Sequence, residues 1–208
     1  MGFSELMLTS WEDYDNEQLK NFINIIFDTS KNAYSLLENL LEWSRSQTGN
    51  IKITPDHISL FELVKENLSL MKGIAEKKNL NLVNKVDVSS TAYADSNMVK
   101  TVIRNLVSNA IKYTPNNGTI TISSEQNGKS VKLSVSDTGV GIEKHNIDKL
   151  FKVDENFSTK GTNNEIGTGL GLVLCKEFIV KNSGNISVES SPDKGSNFII
   201  MLPKEELS

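Results

Sequence analysis

One cysteine, two histidines and four prolines in 208 residues leave several kinds of chemistry without raw material. A single thiol, Cys175, can build neither a disulfide framework nor a cysteine-based zinc site, which suits a reducing compartment. It stands in the apolar run LGLVLCKEF, where a cysteine serves as a small core residue rather than a nucleophile. His57 and His145 lack any Ser, Cys or carboxylate arrangement that would mark either as catalytic. No block of Lys and Arg interrupts a net charge of -4, so nucleic acid is not an expected partner. The start, MGFSELMLTS, has no basic stretch and no long apolar run, and reads neither as a signal peptide nor as a membrane span. The expectation is a cytoplasmic piece without membrane contact of its own, even if a parent protein is anchored in one. What is present is ordinary globular composition, 38% hydrophobic and 23% charged, enough for one or two domains with a real core.

Two regions follow from the patterning. Between Glu17 and Ser46 there is neither Gly nor Pro, and Leu19, Phe22, Ile26, Ala33, Leu37 and Leu40 recur at helical spacing, with Phe27, Tyr34 and Leu41 widening the stripe. A helix of that length spans roughly 45 Å at 1.5 Å per residue, more than a small core covers. It lies either against its own domain or against a partner in a helical bundle, and its length favours dimerisation. Phe3 to Thr9 reads as the end of an earlier helix and Trp11 to Asn16 as an acidic turn, so residues 1–50 are expected to belong to a helical hairpin whose first arm is cut short. Thr48 to Asp56, with Gly49, Asn50 and Pro55, reads as a linker.

Residues 51–208 mix helical and strand patterns. Helices are predicted over Phe61 to Lys78, from an Asp95 cap to Tyr113, briefly near Glu143 to Phe151, and over Leu170 to Asn182. Strands are predicted over Leu80 to Val86, Ala92 to Ala94, Thr119 to Glu125 and Ser130 to Ser136 around the hairpin signal Asn127-Gly128, then Asn185 to Ser190 and Ser196 to Leu202. The polar stretch Lys152 to Thr168 is too long to be simple connection. This is an α+β pattern, a two-layer α/β sandwich with helices on one face.

Three segments carry chemistry in a fixed order: NLVSNAIKYT (Asn105 to Thr114), DTGVG (Asp137 to Gly141) and GTGLGL (Gly167 to Leu172). Asn105 and Asn109 share one helix face, and an Asn amide oxygen is a hard, neutral ligand suited to Mg2+. Taken alone, such a pair is more often structural. Asp137 ends an apolar alternating strand, where its carboxylate can accept a hydrogen bond from an adenine amino group while Gly139 and Gly141 let the backbone approach the ring. Apolar residues before Asp-Thr-Gly also mark aspartic proteases, but those need a second Asp and a β-rich fold. GTGLGL leads into a helix whose free amides and positive dipole end suit phosphate. It is neither a Walker A loop, since no Lys follows the glycines, nor a dinucleotide fingerprint, since Leu172 stands where a third glycine belongs.

Between Ile58 and Pro203 the chain resembles the catalytic ATP-binding domain of two-component sensor histidine kinases, in the wider family that includes gyrase, MutL and the ninety-kilodalton heat-shock chaperone. NLVSNAIKYT resembles the N box of that family, DTGVG its G1 box, Phe151 to Phe157 its F box, GTGLGL its G2 box, and Gly195-Ser196-Asn197-Phe198 its last glycine motif. The resemblance implies Mg-ATP as ligand, with Asn109 on Mg2+ and Asn105 supporting the metal and phosphates. It implies Tyr113 lining the adenine pocket, Lys112 approaching a phosphate and Asp137 reading the adenine amino group beside Gly139 and Gly141. Lys152 to Thr168, including Phe151's neighbours, would form a lid, with Gly167, Thr168, Gly169, Leu170 and Gly171 at its hinge and phosphate contact and Lys160 reaching the γ-phosphate.

Hydrolysing relatives carry a Glu where this chain has Asn105, and an amide cannot take a proton from water, which favours transfer to a histidine. GFSELM and NLLEWSRSQTG resemble parts of the dimerisation and phosphoacceptor hairpin, but no histidine precedes Gly2. The expectation is a kinase core that forms a homodimer through its hairpin, acts in relay to a response regulator receiver domain and lacks its own acceptor. A nucleotide-binding dimerisation module without transferase activity is the alternative, and a gyrase-type hydrolase is disfavoured by Asn105.

Overall fold

Along β5 (Ser130–Asp137), Val131, Leu133 and Val135 are buried on one side while Lys132, Ser134 and Ser136 take the other. The computed structural model describes residues 2–47, 53–152, 160–163, 165 and 169–206, with the side chains of 28, 31, 32, 35, 36, 38, 39 and 42–47 excepted. Five strands form one sheet in the order β2 (Asn81–Lys85), β4 (Thr119–Asn127), β5, β7 (Ser196–Pro203) and β6 (Asn185–Ser190). β2 runs parallel to β4 and the other pairs are antiparallel. The register lines up Ile120, Ile122, Leu133, Val135, Phe198, Ile200 and Leu202 on the inner face. Thr121, Ser123, Ser134, Ser136, Asn197, Ser187 and Glu189 pair on the outer face, which can meet water without a second helical layer.

Three helices cover the inner face: α3 (Leu60–Glu76), α4 (Ser96–Tyr113) and α6 (Gly171–Lys181). α4 is central. Met98, Val99, Val102, Ile103, Leu106, Val107, Ala110 and Ile111 are buried along it at helical spacing. Cutting Leu106 to Ala would cost about 2–5 kcal/mol, the usual range for a fully enclosed leucine. Asp95 caps α4 as expected, its Oδ1 accepting from the backbone N–H of Asn97 (3.0 Å) and Met98 (3.1 Å). Its Oδ2 accepts from the backbone N–H (3.0 Å) and hydroxyl (3.1 Å) of Thr54, and its own N–H donates to Asn182 Oδ1 at 2.6 Å.

The α+β, two-layer expectation holds, with two corrections. Asp56 is not linker: Asp56–Ser59 is β1, paired antiparallel with β3 (Thr91–Ala94) in a separate two-stranded sheet. A four-residue strand flanked by Pro55 shows no alternation long enough to announce itself, and its partner lies far along the chain. The short helix near Glu143 also shrinks, to α5 (Lys144–Ile147). Residues 48–52 of the expected linker lie outside the described residues.

At the N-terminus, α1 (Phe3–Thr9) meets the long α2 (Asn16–Gln47) through Phe3, whose ring sits 5.3 Å from that of Phe22, and Tyr14, in the connection between them, sits 5.0 Å from the same ring. Leu19 is buried and α2 touches α6, but Phe27, Tyr34, Leu37, Leu40 and Leu41 stand exposed. No helix among the described residues is long and apolar enough to cross a membrane.

Candidate functional site

Three segments, far apart in the chain, converge on the second half of α4. The first is the loop after β5. Asp137 continues the inward parity of Leu133 and Val135, so its carboxylate points to the helix side of the sheet. Asp137 Oδ1 accepts from the backbone N–H of Gly139 at 2.8 Å and of Ser196 at 3.2 Å, while Oδ2 accepts none from the described residues. Burial pushes the Asp137 carboxyl above the usual range, against the pull of those two N–H donors.

The loop then docks on the helix end, where Val140 N–H donates to Tyr113 O at 3.2 Å. A Cβ on Gly139 would stand 2.6 Å from both Tyr113 O and Asp137 Oδ1, so only glycine allows this approach. Gly141 has φ +70° and sits against the carbonyl of Ser191, with no room for a side chain.

The second segment is the start of α6. Gly169 has φ +74° and Gly171 opens the helix, which has no side-chain cap on its first turn. A Cβ on Gly171 would lie 3.3 Å from Asn105 Oδ1. Asn105 Nδ2 is buried with no hydrogen-bond partner, an arrangement that costs about 1–3 kcal/mol unless something else fills it. An orphaned donor beside an uncapped helix start suits the oxygen atoms of a phosphate-bearing ligand. Asn109 lies half-buried one turn further along the same face.

The third segment, Gly161, Thr162, Asn163 and Glu165, rests on the last turn. Thr162 N–H donates to Lys112 O at 3.0 Å, and Gly161 packs so closely that a Cβ would come 2.6 Å from the Lys112 side chain. Lys112 Nζ donates to Tyr113 Oη at 2.9 Å and lies 4.6 Å from that ring's centroid, so here it faces Tyr113. Glu165 is drawn two ways: burial opposes its ionisation, but backbone N–H donors and Lys78 hold its carboxyl below the usual range.

Asn105, Asn109, Lys112, Tyr113, Asp137, Gly139, Gly141, Leu170 and Gly171 thus fall around one helix. Phe151 is half-buried against the hydrophobic core, and Lys160 is exposed. Gly167 and Thr168 lie outside the described residues, as do 153–159, 164 and 166 of the stretch expected to form a lid. Nothing in the local sequence marks Lys78, whose side chain is 5% exposed. A lysine in Lys77-Lys78 at a helix end looks like surface, and only its long-range partners reveal otherwise. Ser196 stands in the last glycine motif, but its N–H bond to Asp137 spans 59 residues of chain, which no motif shows. Among the described residues no three His, Cys, Asp or Glu side chains are grouped to hold a metal.

Residues 94–206 match the family described as histidine kinase-, DNA gyrase B-, and HSP90-like ATPase. The adaptive-response sensory kinase SasA of Rippkaea orientalis is 35% identical over 170 residues, which is 81% of this chain and 43% of that protein. The chain spans less than half the length of the first curated relatives it matches. Among solved structures, the nucleotide-free catalytic domain of the histidine kinase ThkA is 33% identical, with a TM-score of 0.64 over 74% of this chain and 99% of that one. ThkA in complex with the response regulator protein TrrA is 27% identical, with a TM-score of 0.77 over 98% of this chain and 57% of that one.

Proposed function

Because this chain belongs to the histidine kinase-, DNA gyrase B-, and HSP90-like ATPase family and is an ATP-binding domain of the histidine kinase kind, we propose that it delivers the γ-phosphoryl of Mg-ATP to a histidine. The observation that carries the reading is the meeting on α4 of a buried carboxylate, an orphaned amide and an uncapped helix start. Asp137 Oδ2 accepts from the adenine amino group, while Gly139 and Gly141 keep the backbone clear of the ring. Tyr113 lines the adenine side. Asn105 and the first N–H groups of α6 donate toward phosphate oxygens. Asn109 would hold Mg2+ through its amide oxygen, and the ion would supply positive charge beside the phosphates. Gly169 and Leu170 form the phosphate-facing entry to α6, Gly167 and Thr168 of the same sequence motif would contact phosphate, and Lys112 and Lys160 would supply positive charge to it.

The bound nucleotide supplies the phosphoryl group, and the chain contributes positioning and charge stabilisation. Asn105 cannot act as a base toward water, so transfer prevails over hydrolysis. The acceptor is a histidine on a helical hairpin, and His57, on β1 with its ring against Tyr93, and His145, on α5, both stand outside residues 1–50. Residues 1–50 serve that hairpin and pair with a second copy, and 51–208 form the catalytic domain. A response regulator receiver domain takes the phosphoryl next, by analogy with the partner of ThkA.

Radiolabelled ATP tests this. The chain alone should remain unlabelled, and an added hairpin carrying its histidine should gain label that survives base and vanishes in acid. Label on His57 or His145 would refute the acceptor assignment. Absence of label on the hairpin would leave a nucleotide-binding module without transferase activity.

A further inference from the structure

Lys78, just past the end of α3, buries its ammonium where a charge is costly to place, so its partners must be numerous and well aimed. Nζ donates to Ile111 O at 2.8 Å and Lys112 O at 3.2 Å, the open carbonyls at the C-terminal end of α4. It also donates to Thr162 Oγ1 at 2.6 Å and pairs with Glu165 Oε1 at 3.2 Å. Thr162 and Glu165 belong to the polar stretch, 84 and 87 residues further along the chain.

A helix end needs no carboxylate brought to it. The two carbonyls take two of the three ammonium N–H donors, and Thr162 and Glu165 serve the rest, which ties the polar stretch to the same charge. Of its described residues, Lys152, Lys160 to Asn163 and Glu165, none carries an apolar side chain that could anchor it. Its attachment is a set of hydrogen bonds around one buried charge: Thr162 N–H and Oγ1 to Lys112 O at 3.0 and 3.2 Å, and Glu165 Oε2 accepting from Asn163 N–H at 2.8 Å. The Thr162 bonds fall on the turn of α4 that bears Lys112 and Tyr113, and the Asn163–Glu165 bond closes the segment on itself.

We propose that Lys78 is a positioning residue for nucleotide binding: it pegs Gly161, Thr162, Asn163 and Glu165 to the last turn of α4 and so sets the phosphate side of the ATP site. The proposal rests on the ATP reading above. Lys78 touches no nucleotide. It acts through Thr162, Glu165 and the backbone of Lys112, and the adenine contact at Asp137 is built without it.

Calorimetric titration of the full chain with ATP and with AMP, both with Mg2+, separates the possibilities. Glu165→Gln keeps the shape and removes the charge; it should weaken ATP about three- to tenfold. Lys78→Met should weaken it about tenfold or more, and the double variant should lose less than the two single losses combined. AMP, which lacks the outer phosphates, should shift less than about twofold in each. If folded Glu165→Gln binds ATP as tightly as the parent, the proposal is overturned. Equal losses for ATP and AMP would also overturn it, since a general loss of structure moves both. Should Lys78→Met fail to fold, Glu165→Gln decides alone. A parent chain that binds neither nucleotide sinks the ATP reading and this inference together, whereas a binding parent with unaffected variants sinks this inference only.

Discussion

Asn105 and Gly171 face each other between α4 and α6, so closely that a Cβ on Gly171 would stand 3.3 Å from Asn105 Oδ1. The same amide leaves Nδ2 buried without a partner. Leucine has nearly the same shape and no polar atom to strand. Asn105→Leu is therefore expected to raise the thermal midpoint of the nucleotide-free chain, relieving a cost of about 1–3 kcal/mol. It should also weaken Mg-ATP at least about tenfold. Unchanged ATP affinity in a folded Asn105→Leu chain would remove Asn105 from the site.

Asp137→Asn should keep the bonds from Gly139 and Ser196 on Oδ1 but set an amide donor against the adenine amino group. ATP affinity is expected to fall about 10- to 100-fold, with discrimination against GTP lost, in line with about 1–3 kcal/mol for one such bond. The stability effect has the opposite sign. The folded-state pKa of Asp137 is raised by burial above the unfolded value, about 3.9. The folded chain therefore holds that proton more tightly, and ionised Asp137 subtracts from stability above that range. The variant should melt higher than the parent at pH 7, and the gap should close as pH falls toward about 4. A variant that melts lower than the parent at pH 7 would contradict this.

Gly128 and Gly141 both have positive φ, +58° and +70°, yet their surroundings differ. Nothing lies near a Cβ at Gly128, whereas Gly141 abuts the Ser191 carbonyl. Gly128→Ala should cost about 1 kcal/mol of backbone strain alone. Gly141→Ala should cost about 3 kcal/mol or more, because the Ser191 backbone has to move as well. Urea titrations giving equal losses would mean that the close approach is not rigid.

The exposed apolar side chains on α2 motivate a test of pairing. Sedimentation across a concentration series should show self-association that weakens when Phe27→Glu and Leu37→Glu are combined. A parent that stays monomeric with α2 folded would refute dimerisation through that helix.

Much of this was legible because it is local. The apolar spacing from Met98 to Ile111 and the Asp95 cap specify α4, and Asn127-Gly128 specifies the β4–β5 turn, without reference to anything distant. Asp137 was legible as a strand end, and its inward direction follows from the alternation of Val131, Leu133 and Val135. What escaped depends on partners far along the chain. β1 exists because Asp56 to Ser59 finds Thr91 to Ala94. Lys78 is buried because the end of α4 and Glu165 surround it. Charge and length are all that a sequence shows of such a lysine, and both describe a surface residue equally well.

The grip of Asp95 on Thr54 bears on how the preceding chain acts on this domain. Both the N–H and the hydroxyl of Thr54 are held at the start of α4, beside the Asn182 contact that ties in the end of α6. The incoming polypeptide is thus held to the domain at Thr54 as well as through the contact of α2 with α6. A pull on the upstream chain therefore reaches the start of α4 and the end of α6 together, because Asp95 holds both Thr54 and Asn182.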